Sequence, residues 1–300
     1  MDPLVLALVL GAATLHVTWN VLLKTSGDPL RGATVATAAG AVLLVPGATI
    51  GWFLVGQPPI PPEAIGLGIV SGVLEAVYFA FLAAAYRRGD LSIVYPLARG
   101  TATLLAIGAG IIVLGERLEP MGYVGLVTLL AGFLWLQRPW QILRSVIHGH
   151  KVEGGVLFAI ATGVLVSTYS AVDRVGVRLV EPWIYAAILQ FVAAISLVGW
   201  TTFRWRYSHR RGIESIFARL AGDRRSALGG AIAVVQYLLI LVAFRIAPLS
   251  VVAPLRESAI VLASGWGAFR MREAASQREG LARVAAATLI VVGALVIASS

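Results

Sequence analysis

The chain contains no cysteine, which excludes disulfides and thiolate metal sites. It is also poor in charge. Only 13% of its 300 residues are charged, where a soluble domain carries about a quarter. Polar stretches are short, so there is little room for a separate soluble domain. No P-loop occurs, and no glycine-rich nucleotide motif follows a strand, so ATP-driven chemistry is not supported. His148 and His150 sit in a loop without carboxylate partners. Neither a metal site nor a cofactor is therefore expected, and no clustered catalytic constellation marks an enzyme.

What the chain has in abundance is apolar length. Hydrophobic residues make up 58% of it. They fall into about ten runs, each near the roughly 20 residues that one bilayer crossing needs. The spans are predicted at 3–24, 32–56, 64–86, 91–114, 120–137, 154–173, 182–203, 226–245, 249–269 and 280–298. The expected fold class is an all-α integral membrane protein of ten transmembrane helices. The first run, Pro3 to Leu23, lacks a preceding basic region, so a cleavable signal peptide is not expected. "GQPPIPPE" at 56–63 cannot continue a helix, because proline lacks the donor and clashes with the preceding turn.

The net charge of +9 is unevenly placed. Odd-numbered connections hold Lys24, Arg31, Arg87, Arg88, Arg138, Arg144, Lys151, seven arginines between 204 and 225, and Arg270, Arg272, Arg278 and Arg283. Even-numbered ones hold only Arg117, Arg174, Arg178 and Arg245. The positive-inside rule puts the odd connections in the cytoplasm and both termini outside. The expected location is the cytoplasmic (inner) membrane of a bacterium. The excess charge is then an orientation signal whose partner is anionic lipid rather than nucleic acid. The segment "RWRYSHRRGIESIFARLAGDRR" at 204–225 reads as a short basic amphipathic helix lying on the lipid surface. A homo-oligomer is neither required nor excluded.

The chain also repeats itself. "LSIVYPLARG" at 91–100 returns as "LSVVAPLRES" at 249–258, with Leu91/Leu249, Ser92/Ser250, Val94/Val252, Pro96/Pro254 and Leu97/Leu255 identical. "TWNVLLK" at 18–24 lies over "TYSAVDR" at 168–174. Five helices per copy is an odd number, so the second copy is expected upside down. This gives a first repeat at 1–137, a cytoplasmic linker at 138–153 and a second, inverted repeat at 154–300. Inverted repeats with a site at their interface are the architecture of many secondary transporters.

Two five-helix halves, "S-x-V-x-P-L" at 92–97, the "GE" at 115–116 and the glycine-containing fifth helix at 122–134 resemble the EamA-like branch of the drug/metabolite transporter superfamily. The resemblance covers essentially the whole chain. The second copy is degenerate: it keeps Glu273 but loses the glycine before it. The resemblance implies a basket of ten helices around a central cavity that opens alternately to either side. It also implies transport of small organic metabolites.

Ionisable side chains within spans cost about 2.5–3.5 kcal/mol on insertion scales and face an interior or water. On helix 1, His16, Trp19 and Asn20 share a face. They read either as packing and helix–helix contact or as an aromatic wall with a polar handle for an ammonium. Glu75, Tyr78 and Phe79 repeat that spacing on helix 3. Glu75 is a candidate for proton coupling or cation binding, or else an ion-pair partner of Arg99. The corresponding face of helix 8 carries Gln236 and Tyr237, with Ala233 in place of the glutamate. Arg99 aligns with Glu257, and Arg256 with Ala98. The arginines either close an ion pair with Glu257 or Glu75, or bind a carboxylate or phosphate. Pro96 and Pro254 either shape a helix start or act as hinges. Asp173, beside Arg174, reads as half of an ion pair at the membrane rim.

These residues lead to an expected secondary transporter for a small polar or amphipathic metabolite such as an amino acid, an amine or a similar zwitterion, with proton coupling through Glu75. The alternative is an anionic substrate (sugar-phosphate, phosphonate or lipid-linked group) held by Arg99 and Arg256. A non-transporting sensor would need an attached soluble domain, and none is evident.

Overall fold

The computed structural model of the chain describes residues 3–24, 28–88, 91–137, 140, 154–209, 223–256 and 277–299. These form α1 (Pro3–Lys24), α2 (Pro29–Leu54), α3 (Pro62–Tyr86), α4 (Leu91–Gly108), α5 (Pro120–Gln137), α6 (Gly154–Leu179), α7 (Pro182–His209), α8 (Arg224–Ile246), α9 (Leu249–Arg256) and α10 (Gln277–Ser299). A π-helical turn, Ala109–Val113, continues α4. Among the described residues there are no strands.

The starts follow from local chemistry. Proline opens α1, α2, α3, α5 and α7, where its missing N–H costs nothing and its fixed φ suits the first turn. Asp28 caps α2 by accepting from the Leu30 and Arg31 amides at 3.0 and 3.4 Å. Asp223 caps α8 through the Ser226 amide at 3.1 Å. Each side chain satisfies amides that the first helical turn leaves orphaned.

Two helices run past the expected spans: α6, expected at 154–173, continues unbroken to Leu179, and α7, expected at 182–203, continues to His209. The charges at 173 and 174 do not end α6, because both side chains find buried partners. The fourth span's last turn is π-helical, with the Leu114 amide reaching back to the Ala109 carbonyl at 2.9 Å. The linker at 138–153 apart from Trp140, the basic segment at 210–222 and the ninth span beyond Arg256 lie outside the described residues.

Among the described residues, five helical segments are long and apolar enough to cross a membrane: Pro29–Leu54, Pro62–Tyr86, Gly155–Leu179, Pro182–Arg206 and Arg224–Ile246. Pro3–Trp19, Leu97–Val113, Pro120–Trp135 and Ala285–Ile297 are shorter apolar stretches. The burial pattern is that of a chain in lipid. Large apolar side chains point outward, Leu54 and Ile112 each 82% exposed. Thr34, Ser71, Asp173, Gln190 and Gln236 point inward. Water would reverse that preference. The protein is a multi-pass helical membrane protein.

The helices pair across the middle of the sequence. α5 packs against α10, α3 against α6 and α7, α1 against α8 and α9, α4 against α6 and α9, and α2 against α7 and α8. Small residues make the closest crossings possible, as they do between membrane helices generally. A Cβ on Gly230 of α8 would stand 2.0 Å from the Ala36 carbonyl oxygen of α2. One on Gly72 of α3 would stand 2.5 Å from the Leu189 carbonyl oxygen of α7.

Candidate functional site

Eight helices enclose a narrow cavity of about 60 Å³, room for a few water molecules. Among the described residues, none of α5 or α10 lines it. It receives His16 and Trp19 from α1, Glu75, Tyr78 and Phe79 from α3, and Arg99 from α4. α8 adds Gln236 and Tyr237, and α9 adds Arg256. Residues named from five separate stretches of sequence thus meet in one place. The side chain of Asn20 and all of Glu257 lie outside the described residues, as does the expected Arg99–Glu257 pair. Pro96 falls within α4 and Pro254 within α9, each six residues into its helix. Pro254 is buried.

Aromatic rings form a continuous wall. Phe79, Tyr78, Tyr169 and Tyr237 succeed one another at centroid distances of 4.8, 5.9 and 6.3 Å. His16 stands edge-on to Trp19 at 5.3 Å and meets the Gln236 side chain. Such faces attract a cation, and more strongly where water is excluded. Among the described residues, two polar atoms of the cavity-lining side chains have no hydrogen-bond partner. One is Nε1 of Trp19, a residue 6% exposed, and the other is the buried Oε2 of Glu75. A buried polar group without a partner costs roughly 1–3 kcal/mol. Two of them in one cavity, one donor and one acceptor, mark where a ligand's own polar groups would be rewarded.

Among the described residues no salt bridge joins Glu75 to Arg99, the pairing that stood as the alternative to a coupling role. Arg99 and Arg256 line the cavity with Glu75.

The reading of Asp173 as half of a rim pair is overturned. It is fully buried and accepts from three hydroxyls: Ser71 of α3, Tyr185 of α7 at 3.0 Å, and Tyr237 of α8. Arg174 turns the other way and pairs with Glu116 at 3.2 Å. It also donates to the Phe244 carbonyl. Residues i and i+1 of a helix point about 100° apart and do not face each other, so adjacency in sequence could not make the pair.

Glu116, half of the "GE" at 115–116, closes a second polar cluster. Its carboxylate accepts from the Leu249 amide at 2.7 Å and from the Ser250 amide and hydroxyl at 2.9 Å. It thereby caps the N-terminus of α9 from the far end of the first half, where the helix dipole favours an anion. Gly110 packs against this junction: a Cβ there would stand 2.4 Å from Glu116 Oε2.

Sequence reasoning also passed over Gln190 and Thr37, and it placed Tyr169 only as one turn from Asp173. Tyr169 had a signal, since it aligns with Trp19 in the internal repeat. Gln190 donates to the Thr37 carbonyl at 3.0 Å, joining α7 to α2. That contact had no signal, because an amide in an apolar run looks the same whether it faces a cavity or a neighbour.

No family model matches the chain. Over 70 residues it is 36% identical to proteins named "Spermidine export protein MdtI" from Salmonella paratyphi B and Salmonella newport. That match covers 23% of this chain and 64% of those relatives' own length. A solved crystal structure superposes on 97% of this chain and 98% of its own, with a TM-score of 0.64 at 19% identity. This likeness is one of fold.

Proposed function

We propose that the chain is a secondary transporter that carries a small organic amine or zwitterion through this cavity by alternating access. The observation that carries the reading is that Trp19 and Glu75, each with a buried side-chain atom lacking a hydrogen-bond partner among the described residues, line one cavity together with four aromatic rings. Glu75 would receive an ammonium. Trp19, with Arg99 and Arg256, would receive a carboxylate or hydroxyl. The similarity to spermidine export proteins supports the amine end of the range. The cavity is too narrow in this conformation for such a solute, which fits a site that the helices must open.

An inverted repeat of two five-helix halves, as in the drug/metabolite transporter superfamily, fits the packing. Exchanging each helix for the one five places away turns the α3–α6 contact into α8–α1, and the α4–α6 contact into α9–α1. The exchange also superimposes Gly72 on Gly230 at the spacing that relates Pro96 to Pro254. Both termini would face outward by the distribution of Lys and Arg. Single cysteines placed near Asp28 and Glu181 of this cysteine-free chain would test that. The reading requires a membrane-impermeant maleimide to label intact cells at 181 and not at 28.

The second reading, an anion bound by Arg99 and Arg256, rests on both guanidinium-bearing residues lining the same cavity. Counterflow in proteoliposomes separates the two, using labelled spermidine, a labelled neutral amino acid and a labelled sugar phosphate. The amine-or-zwitterion reading expects exchange of the first or second. Exchange of the sugar phosphate alone would replace it with the anion reading, and exchange of none would remove both.

A further inference from the structure

Asp173 is fully buried, and among the described residues no salt bridge reaches it. Its carboxylate is held by hydroxyls alone. Oδ1 accepts from Ser71 and from Tyr185 at 3.0 Å, and Oδ2 accepts from Tyr237. An ionised carboxylate only accepts, so three donors converging on one suit the charged form.

The three donors differ in where their other atoms go. Ser71 and Tyr185 are sealed in the helix packing and do not line the cavity. Tyr237 does line it. Its ring packs with Ala102, Val166 and Tyr169 and meets the Tyr169 ring at 6.3 Å and 74°. One hydrogen bond therefore joins a buried anion to a ring of the aromatic wall.

The internal repeat isolates that link. Tyr237 corresponds to Phe79, which also lines the cavity, and Asp173 corresponds to Leu23. The first half thus has the ring with neither the hydroxyl nor the carboxylate, and the second half has both. Phe79 packs without them, so a ring at this place does not need the pair in order to fit.

A bond to an anion does two things to a phenol. It fixes the hydroxyl end, so the ring keeps one position. It also draws the phenol proton outward and leaves the ring richer in electrons. A richer face attracts a cation more strongly. Arg99 and Arg256 share the cavity, and their charges oppose an ammonium. An anion behind the wall offsets them.

We propose that Asp173 is a positioning residue for the solute's ammonium group and acts through Tyr237: its carboxylate holds and polarises the ring whose face receives the cation. Asp173 itself stays out of the solute's reach. Glu75 offers its charge to the solute directly from the first half, and Tyr237 passes on that of Asp173 from the second. This deepens the amine-or-zwitterion reading and rests on it.

The test is equilibrium binding of spermidine and of a labelled neutral amino acid to the purified protein in lipid nanodiscs, with thermal unfolding of the same preparations. Tyr237→Phe keeps the ring and cuts the link. Tyr185→Phe takes a hydroxyl from the same carboxylate but outside the cavity. Tyr237→Phe and Asp173→Asn should each weaken the solute that binds by about tenfold. The double variant should be no weaker than either, since both substitutions break one link. Tyr185→Phe should lower the unfolding midpoint and leave affinity within about twofold. Equal losses of affinity in the two tyrosine variants would overturn the proposal, because Asp173 would then serve packing alone. Additive losses in the double variant, or an unchanged affinity in Tyr237→Phe, would overturn it too. If Asp173→Asn fails to fold, the two tyrosine variants decide. Binding that survives Tyr237→Phe removes this role and keeps the transporter reading. Binding of neither solute by the unsubstituted protein removes both.

Discussion

α6 carries two charged residues side by side that enter different surroundings. Arg174 enters a junction in which each polar group is answered: Glu116 takes its Nε, Phe244 its terminal nitrogen, and the rest of the Glu116 carboxylate caps α9. Asp173 is answered too, by three hydroxyls, but one of them belongs to Tyr237, which lines a cavity whose residues Trp19 and Glu75 each keep a polar atom without a partner among the described residues. The first arrangement holds the end of one half against the start of α9. The second gives up stability to keep donors and acceptors vacant. Buried charge alone therefore says little about function in this molecule. Whether its hydrogen bonds close within the protein says more.

That contrast can be broken in order of effect. Glu116→Ala should be the most damaging, because it strips the cap from α9 and leaves Arg174 part-buried without its counter-ion. Removing one member of such a pair costs about 3–5 kcal/mol, which thermal unfolding in detergent would show as a large fall in midpoint. Gly230→Ala forces a methyl group against the Ala36 carbonyl, and overpacking of that kind costs about 1–3 kcal/mol. Gly47→Ala on α2 is its control: nothing lies within 4 Å of the new Cβ, so the midpoint should shift by less than the equivalent of about 0.5 kcal/mol. Trp19→Phe keeps an aromatic ring and removes the orphaned N–H. Its stability should be unchanged or slightly raised, while solute affinity falls about tenfold, the 1.4 kcal/mol of one hydrogen bond to a charged group. Isothermal binding of spermidine or an amino acid, whichever exchanges, would measure it.

Much of the fold was legible because lipid imposes a simple rule: apolar length plus proline and charge at the ends marks a helix. The limits of α1 and α5 follow directly from those signals. The end of α6 did not, because a pair of charges reads as a boundary unless their partners are known. Those partners, Ser71, Tyr185, Tyr237 and Glu116, lie between 12 and 102 residues away. The residues gathered around the cavity were found from ionisable and aromatic groups at helical spacing within spans. Asp173 was misread by adjacency, and the cap role of Glu116 was hidden because it depends on main-chain amides in α9, which carry no sequence signature.

The central claim is that the unanswered Glu75 carboxylate serves a solute and not the fold. The most direct measurement is thermal unfolding and proteoliposome counterflow on the same preparation of Glu75→Gln, with labelled spermidine and a labelled neutral amino acid as solutes. The account predicts a midpoint within the equivalent of about 1 kcal/mol of the unsubstituted protein, together with loss of exchange. A variant that exchanges solute at full rate, or one that loses exchange only because it no longer folds, would contradict it.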